Sequence, residues 1–299
     1  MPFHLWPDRP TRREFLGGLA VGGASVALMG ADSPDTSPWI ALVADTHIAA
    51  DPLRMARGQT MAANLVAVVK DILAAPNKPK ALVIDGDLAL LDGQSGDYAT
   101  LLATIEPIRK SGVPIHLAMG NHDERTRFRT AIQGVIPAES RVESKHVGTF
   151  EAIGHRFVIL DSLDATNVAP GVLGEVQLGW VANDLDAHKD RPTVVFVHHN
   201  LKPKGEAGLV DNDALLALLK PRRWVKAVVF GHTHRWERSE VDGVHLVNLP
   251  AVGYPFAIDQ PVGYARLRVI EGKASLELRT IGVDKSRDRE TWMLDWRAS

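Results

Sequence analysis

Carboxylate, imidazole and amide side chains recur in this sequence in short, similar settings. Asp45 and His47 stand in "VADTH", Asp87 in "IDGD", Asn121 in "MGNHD", His198 in "FVHHN", and His232 and His234 in "FGHTH". Together they make a set of nitrogen and oxygen donors of the kind that binds divalent transition metals. The chain has 12 histidines and no cysteine. Disulfides, iron–sulfur clusters, thiolate zinc sites and cysteine nucleophiles are therefore excluded, and any metal must be held by nitrogen and oxygen.

Something must bring these residues together, since they span most of the chain. Each follows an apolar run: "WIALVAD", "ALVIDGD", "IHLAMGNHD", "TVVFVHHN" and "KAVVFGHTH". Such nearly continuous runs predict strands buried on both faces, and "RFVILDS" and "VHLVNLP" read the same way. Between strands, Met61, Leu65, Val68 and Ile72 fall on one helical stripe. So do Leu101, Ile105 and Ile108, and Leu178, Val181 and Leu185. Strand–helix alternation predicts an α/β fold. "YARLRVIEG" and "KASLELRTI" alternate instead and predict a hairpin turning at Glu271–Gly272–Lys273. In open α/β sheets, sites form beyond the carboxyl ends of the strands. Glycines just before the polar residues allow a sharp turn and close backbone approach there. A lone Asp-x-His is common; five such tips in order, each after a buried strand, are not.

At these residues the chain resembles the calcineurin-like metallophosphoesterases. Their pattern of Asp-x-His, Gly-Asp, Gly-Asn-His-Asp/Glu, His and Gly-His-x-His is present throughout. "VADTHIAADPL", "GHRFVILDSLD" and "FVHHNLKP" are most similar to the bacterial branch of cyclic-nucleotide and glycerophosphodiester phosphodiesterases, although Asn200 and Leu201 replace the prolines usual after its His-His pair. The resemblance implies an αββα sandwich of four layers, spanning 39–283. It implies one metal on Asp45, His47, Asp87 and His234, and a second on Asp87, Asn121, His198 and His232, with Asp87 bridging. The ions would be iron, manganese, zinc or cobalt, divalent or mixed-valence; the donors single out none. The implied activity is hydrolysis of phosphate esters, diesters ahead of monoesters, by a metal-activated hydroxide at a dinuclear site. The alternatives are a phosphomonoesterase and a catalytically silent, protein-binding member of the family. His122 is the implied catalytic residue, positioning phosphate or protonating the leaving oxygen. Asp123 is expected to orient His122, and His199 to touch substrate or hydrogen-bond within the site. Arg125, Lys202 and Arg235 lie near the tips as phosphate contacts or, more simply, solvated charges. His116 is expected to be structural, and His4, His146, His155, His188 and His245 match no motif.

The bulk numbers agree with a small phosphate-ester substrate. The composition is 45% hydrophobic and 23% charged, as in a globular protein with a sizeable core. A net charge of −2 gives no basic field for nucleic acid.

Residues 1–31 are expected to stand outside the domain. "TRREFLGGLAVGGASVALMG" places Arg12 and Arg13 before a short apolar, glycine- and alanine-laden run. This is a signal-peptide layout resembling the twin-arginine type, and the run is shorter than the ~20 residues a membrane span needs. The expected partner is the twin-arginine export machinery and the expected location periplasmic or extracellular. Residues 32–38 read as a linker and 284–299 as a charged tail. Replacing Arg12 and Arg13 by lysines should leave precursor in the cytoplasm on cell fractionation; unchanged export would refute the signal.

Overall fold

The computed structural model describes residues 36–136, 142–201 and 207–299. The expected signal and Lys202 lie outside these. In the first half, β1 (Trp39–Ala44), a small hairpin of β2 (Met55–Ala56) and β3 (Gln59–Thr60), α1 (Met61–Leu73), β4 (Leu82–Asp85), α2 (Ser95–Lys110), β5 (Ile115–Ala118) and α3 (Arg125–Ile132) follow one another. The second half runs through β6 (Gly148–Ala152), β7 (His155–Leu160), α4 (Glu175–Ala187), β8 (Thr193–Val197), α5 (Asn212–Leu219), β9 (Val225–Phe230), β10 (Glu237–Val241) and β11 (Val244–Asn248). Then β12 (Gly263–Ile270), β13 (Lys273–Thr280) and β14 (Thr291–Asp295) close the chain.

Among the described residues the strands form two six-stranded sheets, β14-β13-β12-β1-β4-β5 and β10-β11-β9-β8-β7-β6. β1, β4 and β5 are parallel, as are β7, β8, β9 and β11. Their carboxyl ends therefore gather the motif residues. The apolar runs work through period-two alternation. On β1, Trp39, Ala41 and Val43 join the core under α1–α3, while Ile40, Leu42 and Ala44 face the second sheet. On β8, Val194 and Phe196 face the first sheet, and Val195 and Val197 pack under α4 and α5. Three apolar layers thus separate helices, sheet, sheet and helices, which is the αββα sandwich expected. The Met61–Leu65–Val68–Ile72 stripe is fully buried. Ile270 pairs with Lys273, so Glu271 and Gly272 (φ 72°) form the anticipated turn.

The sheet continues past Val283, where the sequence reading placed the domain's end. Residues 284–299 contain β14, which pairs antiparallel with β13. Leu294 is fully buried, and Trp292 stacks on Trp236 at 3.7 Å. The Arg297 guanidinium donates to the carbonyls of Leu219, Lys220, Arg222, Val225 and Asp242, fastening the terminus to α5 and β9. Leu294→Ala should cost about 2–5 kcal/mol of stability, as buried leucine truncations do, measured by urea unfolding. An unchanged midpoint would show that β14 contributes no packing.

Candidate metal centre

The turns after the strands are built from unusual backbone. Asp45 (φ 52°), His47 (φ 47°), Asp87 (φ 44°), His232 (φ 68°) and His234 (φ 53°) all adopt the left-handed region. This costs a non-glycine residue of order 1–3 kcal/mol each and persists only where surroundings enforce it. Here backbone bonds do so. The amides of Asp45 and His47 donate to the carbonyls of Gly86 and Asp87. The amide of His232 donates to the Asp45 carboxylate at 3.1 Å, and that of His122 to the Asp87 carboxylate at 2.9 Å. Two glycines are sterically required. A Cβ on Gly231 would strike the Asp45 carboxylate, and one on Gly120 the Asp87 carboxylate.

The donor atoms converge in two groups, Asp45–His47–His234 and Asp87–His198–His232. Nε2 of His47 lies 3.0 Å from Nε2 of His234, which lies 3.4 Å from Asp45 Oδ1. Asp87 Oδ2 lies 3.4 Å from His198 Nε2 and 3.7 Å from His47 Nε2, so it faces both groups. Hydrogen bonds orient the rings from behind, as is usual for metal-binding histidines. His198 donates from Nδ1 to the Asp85 carbonyl at 2.9 Å, His234 from Nδ1 to the Tyr254 carbonyl at 2.5 Å, and His232 from Nε2 to the Ala207 carbonyl at 2.6 Å. Nδ1 of His232 and Oδ1 of Asn121 are buried without hydrogen-bond partners, and so is Nε2 of His198. Buried polar atoms are normally satisfied. The two histidine orphans belong to the donor group of Asp87, and such unsatisfied nitrogens beside a carboxylate fit a divalent cation held by nitrogen and oxygen.

Charge is balanced internally. Burial pushes Asp45 and Asp87 upward, but the facing imidazoles outweigh it, His234 and His198 for Asp45 and chiefly His198 for Asp87; both carboxyls stay below their usual range. Burial lowers His198, yet Asp87 and Asp45 raise it to about 10. Burial brings His47 down to about 4 and also lowers His232.

The remaining candidates differ in role. His122 joins a third cluster with His47 and Asp87, and its Nδ1 donates to the Leu91 carbonyl at 2.7 Å. That leaves Nε2 free for proton transfer. Asp123 does not hold the His122 ring. Its buried carboxylate accepts from the amides of Leu88, Ala89 and Gly120 and from the Tyr98 hydroxyl, bracing the Asp87 turn. His199 is buried, shares a 2.7 Å hydrogen bond with Ser162 Oγ and lies 4.7 Å from the His232 ring. Arg235 is exposed and paired with Glu237 at 3.1 Å, beside a cavity that His232 lines. Arg125 is no solvated charge: it grips buried Asp161 at 2.9 and 3.0 Å and the Leu163 carbonyl. His116 stacks on Phe150 at 3.7 Å, in the structural role expected. Sequence reading missed Tyr254, stacked on His47 at 4.7 Å, and Phe256, stacked on His234 at 3.9 Å. The only sequence signal was their place in "GYPF", shortly after the apolar run "VHLVNLP".

The profile of the calcineurin-like phosphoesterases matches residues 38–236. The chain belongs to this family. The phosphoesterase is 26% identical over 248 residues to a probable cyclic nucleotide phosphodiesterase of Rhodococcus erythropolis, covering 81% of this chain and 80% of the relative. It is 24% identical to the glycerophosphodiester phosphodiesterase GpdQ of Enterobacter lignolyticus, over 71% of this chain and 76% of that one. Its fold is similar to a dimetal phosphatase from Danio rerio, with a TM-score of 0.65 at 18% identity, covering 87% of this chain and 99% of that one. As a calcineurin-like phosphoesterase the chain is a metal-binding hydrolase of phosphate esters. Because Asp87 faces both donor groups, Asp87→Ala should empty whichever of them holds metal in the purified protein; full metal content retained, by elemental analysis, would contradict Asp87 as a ligand.

Proposed function

We propose that this phosphoesterase hydrolyses phosphodiesters with two metal ions, one held by Asp45, His47, Asp87 and His234 and the other by Asp87, Asn121, His198 and His232. The observation that carries this is the pair of buried donor groups on either side of Asp87 Oδ2. The phosphodiesterase names of the relatives support diesters over monoesters. When bound, such ions supply charge neutralisation at phosphorus and a water that ionises near pH ~7. Iron, manganese, zinc and cobalt all suit these donors.

The chain's own residues supply the rest. Asp45 and Asp87 supply the negative charge of the donor set, and the backbone bonds around them pre-set its shape. His122 handles the departing alkoxide. Its Nδ1–H bond to the Leu91 carbonyl fixes the ring and leaves Nε2 as the nitrogen that would pass a proton to the leaving oxygen. We also propose export through the twin-arginine route, supported by Arg12, Arg13 and the short apolar run after them.

Metal-loaded protein should cleave an activated aryl phosphodiester faster than the matching monoester. Turnover of neither would favour the silent, protein-binding reading. His122→Ala should slow an alkyl phosphodiester by ~10²- to 10⁴-fold, the range of positioned acid catalysis. A nitrophenyl diester, whose leaving group departs unaided, should slow much less at unchanged metal content. Equal losses on both would replace the acid role with phosphate positioning.

A further inference from the structure

A groove of about 760 Å³ opens beside the metal centre, between the β2–β3 turn and the 255–262 segment. We propose that it binds the second alcohol arm of an acyclic phosphodiester, of nucleoside size, with Arg57 and Phe256 as its specificity-determining residues. This rests on the phosphodiester reading above.

Arg57 is the most telling residue. It and Gly58 form the two-residue connection between β2 and β3, with φ of 48° and 78°. Such turns prefer asparagine, aspartate or glycine at the first position, so arginine there works against local preference. Burial gives no compensating gain, since the residue is exposed, and what it gains comes from the rings it faces. Among the described residues no carboxylate lies in salt-bridge range of Arg57, which is unlike the paired Arg125, Arg266 and Arg279. Its guanidinium instead lies 5.0 Å from the Phe256 ring centre and 5.7 Å from that of Tyr254. Phe256 in turn lies flat on His234, 7° from parallel. A held, unpaired, planar cation therefore stands one ring away from a metal-binding histidine. Guanidinium planes stack on flat groups and bind polar ones.

The rest of the groove is rigidly registered to the centre. The Asn64 amide donates to the carbonyls of Val252 and Gly253 and to Gln59. Gly253 donates to the Asp45 carbonyl, so the groove wall and the ligand turn move as one piece. Ile258 and Val283 line the groove while fully exposed, at 104% and 103%. They are apolar surface that a ligand would cover.

A second cavity of about 410 Å³ lies across Phe256 and Ala257, lined among others by His232, Thr233 and Arg235. Two spaces flank the centre, with Phe256 between them. An acyclic diester has two separate alcohol arms, one for each space. A cyclic diester carries both ester oxygens on a single alcohol and fills only one. The larger groove falls within the ~300–1,000 Å³ typical of pockets for small organic ligands.

The test is a series of nitrophenyl phosphodiesters whose second arm is methyl, glyceryl or thymidinyl, with a cyclic nucleotide for comparison. Non-hydrolysable phosphonates bearing the same arms are titrated in parallel by calorimetry. The ratio of methyl to thymidinyl KM should be ~10 or more in unaltered metal-loaded protein and fall towards ~1 in Arg57→Ala and in Val283→Trp, which fills the groove. Phosphonate affinities should follow the same order, and the cyclic ester should bind more weakly than the thymidinyl diester. Circular dichroism and metal content verify that both variants are folded. Affinities independent of the arm, or selectivity untouched by both substitutions, would overturn the groove assignment. Absent turnover of every ester would overturn the phosphodiester reading instead, and the phosphonate affinities would still judge the groove.

Discussion

The Asp45 carboxylate joins the two sheets where their strands end. It stands after β1 in the first sheet and accepts the backbone N–H of His232, which stands after β9 in the second. Asp87 makes the equivalent bond within the first sheet, to His122 after β5. Each acid thus faces two ways, toward the imidazoles of its donor group and toward the backbone that carries other donors. The left-handed turns, the glycines that clear space for the carboxylates and the orphaned imidazole nitrogens all follow from this arrangement. Burying so many polar atoms is unfavourable unless partners are found, and in this cluster the partners are largely one another.

The same economy explains why the surrounding residues are not interchangeable. Asp123 and Tyr98 hold the Asp87 turn from beneath. Carbonyls of Asp85, Tyr254 and Ala207 choose which nitrogen each histidine presents. The site is rigid because its supports are backbone groups of the strands and of the connections leaving them.

The six residues that the structure gathers into the two donor groups were legible in the sequence because polar residues at the tips of continuous apolar runs break the pattern around them. The central strands and helices were legible for the same reason: double burial leaves a long apolar run, single burial a stripe. Edge strands were not. β6 and β10 are short and partly charged, and β10 is exposed along its length; sheet edges are commonly blunted in this way. β14 was hidden inside what read as a charged tail. Asp123 was misjudged because adjacency to His122 in sequence suggested adjacency in role. Two of its four partners, Leu88 and Ala89, lie on the turn after β4, about 35 residues earlier in the chain. Arg125 likewise meets Asp161 only through the fold. Tyr254 and Phe256 reach the centre because the segment after β11 crosses to pair Ala251 with Ala44, a crossing that no local pattern announces.

β1 also sets a schedule for the chain's synthesis. It is among the first strands made, and one of its edges pairs with β4 soon afterwards. The other edge waits for β12, whose Ala265 to Arg268 pair back to Leu42 to Trp39. Until β12 is made, an apolar strand has an open side, a natural template for wrong pairing. β13, β14 and the Arg297 clasp come later still. The first sheet therefore cannot close before β12 is made, and until then the open edge of β1 is what a holding chaperone would have to protect.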